Sequence, residues 1–166
     1  MTKKSIKGRS VARLAAVQAL YYIEFSDCDS DRVIVDFLQY HMCTNTLLMS
    51  LDGKDNIKHG LIKPDPTLFK AIFLGTLAKC DVYDSLIDDA LIGGWTVKRL
   101  EFLLHVILRA GTCELSDFPD MPKNVIISEY VDLTYAFYGG PEPGLVNAVL
   151  DRICLVLRSE ISDVKN

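Results

Sequence analysis

The feature that most restricts the fold is an aliphatic stripe near the middle of the chain. Leu100, Leu103, Leu104, Ile107, Leu108 and Gly111 fall at i, i+3, i+4, i+7, i+8 and i+11. That is the repeat of one helix face, not the alternation of a strand. It predicts a helix from about Thr96 to Leu115, which must bury this face against other elements. Most of the chain follows the same rule. Ser10 to Phe25 is rich in Ala and Leu and holds no Gly or Pro, so it predicts a first helix. Ser30 or Asp31 can cap a second, from Arg32 to about Leu51. After Pro66, a third is marked by Phe69, Ile72, Phe73, Thr76, Leu77, Cys80 and Ile87, and Gly93-Gly94 ends it. Pro122 suits the first turn of a helix carrying Val125 to Phe137. The Val and Ile content there is also compatible with a strand, and length and helical neighbours decide for helix. After the turn Gly139-Gly140-Pro141-Glu142-Pro143-Gly144, Leu145, Val149, Ile153 and Leu157 mark the last helix, joined by Val146 and Leu150. Residues 52–66 read as a loop.

The expected class is therefore all-α, with about six or seven helices and no strand pairing. The 166 residues suit one domain, or two small helical lobes acting as one unit. The lobes are expected to run from about 1 to 92 and from about 93 to 166, and the 52–66 loop reads as a boundary between lobes or a family-variable insertion. Hydrophobic residues at 49% and charged residues at 24% supply a core, not a disordered chain. No apolar run approaches the roughly 20 residues of a membrane-spanning helix. The N-terminal stretch lacks a signal peptide's uninterrupted apolar segment. Cys28, Cys43, Cys80, Cys113 and Cys154 are scattered and odd in number. They read as reduced residues of a cytoplasmic protein, mostly small core fillers.

Charge is unevenly placed. The first 23 residues hold Lys3, Lys4, Lys7, Arg9 and Arg13 and no acid, which leaves 13 basic and 22 acidic residues in the remainder, or −9. A basic arm on an acidic body suggests an anionic partner such as nucleic acid. Enzyme signatures are missing: there is no phosphate-binding P-loop, dinucleotide fingerprint, nucleophile elbow or zinc-protease motif. His41, His59 and His105 are far apart, and His105 reads as a structural histidine. Arg109, Glu114 and Glu129 read as ion pairs or caps that hold helices in register, rather than as an acid–base set. No catalytic group, cofactor or metal site is expected.

Two segments resemble the NusB family. Ala12-Arg13-Leu14-Ala15-Ala16-Val17-Gln18-Ala19-Leu20-Tyr21 is similar to that family's first helix, A-R-x-x-A-V-Q-A-L-Y. Trp95-x-x-x-Arg99-Leu100, then Ile107-Leu108-Arg109 with Glu114-Leu115, resembles the pattern of its central helix. Pro122, Val125 and Ile127-Ser128-Glu129 resemble the start of the next helix, and Val146-Asn147-Ala148-Val149-Leu150-Asp151 the V-N-G-V-L-D of the last. The order and spacing cover roughly residues 9–25 and 69–155.

The resemblance implies two small helical bundles packed together and a transcription antitermination factor without enzyme activity. It implies that the protein binds boxA-type single-stranded RNA together with NusE, a small-subunit ribosomal protein. The pair supports read-through by the transcription elongation complex, notably in ribosomal RNA operons. The family's N-terminal arginine-rich segment contacts RNA. Here Arg9 and Arg13 keep that character, while Ser10 and Val11 stand where others often carry arginine. Lys3, Lys4 and Lys7 can restore charge but not arginine's planar, bidentate grip. Before V-N-G-V-L-D the family often has an acidic residue and a Lys-Phe or Gly-Phe pair that helps contact RNA. Here Pro141, Gly144 and Leu145 occupy that stretch, which removes the aromatic platform. The family's Asp-Arg in the central helix is Leu104-His105.

Read physically, Arg9, Arg13 and Tyr21 are spaced in fours and eights and fall within about a third of the helix circumference. With Gln18 and the three lysines they are the expected RNA-binding residues. For Tyr21 and Gln18, core packing is an equal alternative. A second reading is a non-enzymatic helical adaptor that binds protein partners with little or no RNA contact. A third, the NusB-like domain of a ribosomal RNA cytosine methyltransferase, lacks a Gly-rich cofactor loop and a catalytic Cys-Pro pair in this sequence.

Overall fold

A computed structural model describes residues 3–41 and 64–163, with side chains for 8–39 and 64–157. Within them run seven α-helices and no strand: α1 Lys3–Glu24, α2 Ser30–Asp36, α3 Pro66–Ala78, α4 Cys80–Ala90, α5 Phe102–Asp117, α6 Lys123–Tyr135 and α7 Glu142–Asp163. The all-α expectation is met. The chain forms two compact units, Met1–Leu74 and Gly75–Asn166. This division falls inside α3, after the 52–66 loop and before the expected boundary near residue 92.

In the first unit, α1 begins earlier than Ser10 and is buried on several sides. Val11, Ala12, Ala15, Ala16, Val17, Ala19 and Leu20 are all in the core, as expected of a helix whose small side chains allow close approach. The second helix is capped by Asp29, one residue before the expected caps, through its carboxylate and the Arg32 N–H at 2.7 Å. It passes into a π-helical turn, Phe37–His41, and the rest of the expected helix, to about Leu51, lies outside the described residues. The stretch from 42 to 63, with most of the expected 52–66 loop and Cys43, lies outside the described residues. Asp65 starts α3 by accepting from the Thr67 and Leu68 N–H groups at 3.0 Å each. Pro66 occupies the first turn, where no N–H is needed. The aromatic spine of this unit is Phe37, Phe69 and Phe73, whose successive ring centroids are each 6.0 Å apart.

In the second unit, one expected helix is two. A break at Lys79 separates α3 from α4, and the Lys79 ammonium donates to Asp117 at 2.7 Å. Gly93 and Gly94 turn the chain at φ +71° and +78°, a left-handed conformation that glycine adopts without Cβ strain. The Asp88 carboxylate accepts from the Val97 N–H at 2.8 Å and starts a single 3₁₀ turn, Val97–Arg99. Arg99 donates to the Gly94 carbonyl at 2.9 Å and lies over the Trp95 ring at 5.6 Å. The W-x-x-x-R motif is thus a clamp on this connection. The stripe helix consequently starts at Phe102 rather than near Thr96.

Helix α5 is the core of this unit, with Leu104 through Leu108 and Ala110 through Glu114 all buried. Helix α7 approaches so closely that a Cβ on Gly111 would lie 2.9 Å from Leu150 Cδ1. Several of the polar groups inside are paired, though among the described residues the Thr112 hydroxyl of α5 is not. Tyr130 OH donates to Glu114 Oε2 at 3.1 Å. The Asp84 carboxylate of α4 accepts from Arg109 Nε at 2.6 Å and Nη2 at 2.5 Å, and it bonds His105 Nε2 at 2.6 Å. Arg109 and His105 are therefore structural, as expected, but their shared partner Asp84 was not foreseen.

Two outcomes test this packing. Leu108→Ala should cost about 2–5 kcal/mol by denaturant unfolding, from lost transfer energy and the cavity left behind. Gly111→Ala should cost about 1–3 kcal/mol by overpacking against Leu150. Asp84→Asn gives a pH-dependent effect. Burial alone would push the Asp84 carboxyl up, but hydrogen bonds and charge from Arg109 and His105 outweigh it and hold the carboxyl below its ordinary value. A depressed carboxylate contributes stability above its unfolded value of about 4, and loses it as pH falls through the folded value. Asp84→Asn should therefore destabilise by about 2–3 kcal/mol at neutral pH. The gap from the parent should close on acidification below about pH 4. A gap independent of pH would rule out the carboxylate's charge as its source.

Candidate nucleic-acid interface

Helix α1 carries every residue expected to meet RNA, and its register sorts them. Lys3, Lys4 and Lys7 lie on its described backbone, while their side chains fall outside the described set. Arg9 and Gln18 are half-buried and Tyr21 is 40% exposed. Arg13 is 2% exposed. This corrects the expectation that Arg9, Arg13 and Tyr21 share one outer surface. Position 13 lies beside Ala12 and Ala16, also fully buried. The packing that closes over those small side chains takes the arginine inside with them. A buried guanidinium is held by the protein and is not a contact for an arriving phosphate.

The accessible line of α1 is a different one. At about 100° per residue, positions 3, 7, 10, 14, 18, 21 and 25 stay within a narrow strip. Of these, Ser10, Leu14 and Gln18 are half-buried, and Tyr21 and Phe25 are exposed. Phe25 is 69% exposed, and its ring centroid is 5.2 Å from that of Tyr21 at a 47° tilt. Sequence reading missed Phe25 because it sits at the helix end with no motif of its own. Its exposure and its pairing with Tyr21 appear only once the helix is packed. The line thus runs from a lysine-bearing end, past an amide, to two solvent-facing aromatic rings. Glu24, Asp27 and Asp29 are exposed just beyond, so the positive character ends there.

The other expected difference is at the turn before α7. Pro141 and Gly144 are exposed and Leu145 half-buried. Glu142 opens the helix, and its carboxylate lies over Gly140, where a Cβ would meet Oε2 at 2.7 Å. A carboxylate therefore occupies the positive end of the helix dipole, a position that would otherwise attract phosphate. Leu104 and His105 are buried, so they offer nothing to solvent. Among the described residues no group of three or more His, Cys, Asp or Glu could hold a metal ion, and no helix is long and apolar enough to cross a membrane.

Arg13 and Tyr21 should separate stability from surface chemistry. Arg13→Ala should lower stability by about 2–5 kcal/mol in denaturant titration, since it removes a large buried side chain and strands its surroundings. Tyr21→Ala should change stability by less than about 1 kcal/mol. Equal and small effects would return Arg13 to the surface.

Comparison with known proteins places this geometry. The family model described as "NusB family" matches residues 10–154. A transcription antitermination protein NusB of Brucella anthropi is 40% identical over 157 residues, spanning 95% of this chain and 88% of that protein. The Brucella melitensis biotype 1 protein of the same description is 38% identical over 163 residues, 98% of this chain and 90% of its own. Among solved structures, T. maritima NusB superposes with a TM-score of 0.64 at 24% identity, over 93% of this chain and 92% of that one. The NusB fold also matches in a crystal structure of antitermination factors NusB and NusE in complex with dsRNA, with a TM-score of 0.64 at 19% identity over 90% of this chain and 98% of that one. With the family model covering most of the chain and relatives near 40% identity along nearly all of it, this chain belongs to the NusB family.

Proposed function

We propose that this protein is a non-enzymatic transcription antitermination factor of the cytoplasm. It binds boxA-like single-stranded RNA together with NusE and supports read-through by the transcription elongation complex, notably in ribosomal RNA operons. The observation that carries the RNA reading is the accessible line of α1, basic at one end and ending in the Tyr21–Phe25 pair. Phosphates are drawn to Lys3, Lys4, Lys7 and Arg9, since the rest of the chain is acidic. Gln18 supplies an amide that can both donate and accept, and the rings of Tyr21 and Phe25 supply stacking faces for unpaired bases. Arg13 supports this line from inside and does not touch RNA. NusE supplies contacts that this chain lacks at the Pro141–Leu145 turn. The adaptor reading draws on that same turn, where Gly144 and Leu145 stand in place of cation and ring, and it predicts NusE binding without a gain in RNA affinity.

Fluorescence anisotropy with a labelled boxA-like oligonucleotide decides between them. NusE should raise RNA affinity above that of either protein alone. Tyr21→Ala with Phe25→Ala should weaken binding by about tenfold or more, in line with roughly 1–3 kcal/mol per stacked base. Lys3→Ala with Lys7→Ala should flatten the log–log salt slope by about 1.4, at roughly 0.7 per contact for single strands. Arg13→Ala, measured where it remains folded, should leave that slope unchanged. RNA affinity indifferent to all of these variants and to NusE would leave the adaptor reading in its place.

A further inference from the structure

A groove between α6 and α7 in the second unit takes no part in the RNA reading. Its floor is Ile127 and Val131. One wall carries Ser128 and Asp132 from α6, and the other Asn147 and Asp151 from α7. Each wall pair is four residues apart, so both members stand on one helix face. The two helices are joined by the short turn 136–141, and each contributes one carboxylate to the groove lining. No lysine, arginine or histidine lines the groove. Among the described residues, neither Asp132 nor Asp151 has an ion-pair partner.

We propose that this groove receives an arginine side chain from a segment of a protein partner. Its volume is about 260 Å³, smaller than the roughly 300–1,000 Å³ of small-molecule and cofactor sites. It suits one long side chain. An arginine stem lies along Ile127 and Val131, as such stems do on apolar surface. The planar guanidinium then meets acceptors on both walls: the Asp132 and Asp151 carboxylates and the Asn147 amide oxygen. Ser128 already donates its hydroxyl to the Val125 carbonyl at 3.0 Å, so its oxygen is left as an acceptor. Lysine, a point charge with three donors, bridges separated acceptors less well than a five-donor fork. RNA is the wrong occupant, because two unpaired carboxylates repel phosphate. A groove open to water with charges at its rim contributes modest affinity, and acts chiefly on encounter and choice of partner. Groove and α1 line belong to different units, so the RNA reading can fail without affecting this one.

The test is a nuclear magnetic resonance titration of the full ¹⁵N-labelled chain with the blocked peptide acetyl-Gly-Arg-Gly-amide. Its citrulline analogue has the same shape without the charge. Saturable shifts should appear at Ile127, Val131 and Asn147, including the Asn147 side-chain amide. Citrulline should bind about tenfold more weakly or worse, and the lysine peptide by an intermediate factor. Asp132→Asn with Asp151→Asn should weaken the arginine peptide by about tenfold while leaving the melting temperature in place, because neither carboxylate holds the fold. Equal shifts from arginine and citrulline, or shifts indifferent to the double variant, would overturn the proposal. So would a boxA-like oligonucleotide that shifts the same groove residues.

Discussion

Helix α5 is enclosed on nearly every side, and the second unit depends on how that enclosure is made tolerable. A helix buried all round supplies apolar area freely, but any polar group it carries must find a partner indoors. Here His105 and Arg109 share the Asp84 carboxylate of α4, and Glu114 accepts from Tyr130 of α6. These bonds do more than avoid a penalty. The bidentate Arg109 contact admits few geometries, so it fixes α4 against α5 in one register. Gly111 does the same for α7 by leaving no room between the backbone and Leu150. Apolar contact alone tolerates sliding, whereas an arginine fork and a missing Cβ do not.

The first unit solves a related problem differently. Its α1 has alanines where other helices have leucines, so neighbours come close and the helix sinks into the core. That depth draws Arg13 inside and leaves a narrow line to solvent, with Tyr22 exposed beside it. In this chain one cation of the first helix is held in the interior, and the proposed RNA contacts lie along the line to solvent. Charge follows the same division, with lysines at the start of α1 and carboxylates gathering just past its end. An anion approaching this helix meets attraction at one end and repulsion at the other, which orients it before any specific contact forms.

Much of the fold was legible because periodicity is a local property. The stripe from Leu100 to Gly111, the apolar positions after Pro66 and those after Gly144 each repeat with the helix turn. What periodicity did not give were the ends. A strong apolar period from Phe69 to Ile87 ran through the break at Lys79, since a break that keeps the buried face in phase leaves no gap in the pattern. The second helix was capped one residue early because Asp, Ser and Asp at 29, 30 and 31 are all competent caps. Only backbone geometry chooses among them. The site was less legible. Spacing put Arg9, Arg13 and Tyr21 on adjoining parts of one cylinder, but spacing does not say which part of a cylinder faces water.

By itself the sequence determined the class, the number of helices among the described residues within one, and the family, through four motifs in order. It also determined that the first 23 residues are basic without an acid while the remainder is net acidic. These follow from residue identity and short-range spacing, which survive any arrangement of the helices. Tertiary structure decided that Arg13 is inside, that Phe25 joins Tyr21 outside, that Asp84 is the partner of His105 and Arg109, and that α6 and α7 leave an uncompensated pair of carboxylates between them. Each of these depends on which helix face meets which neighbour. Burial and pairing are relations between distant segments, and no local pattern in the chain records them.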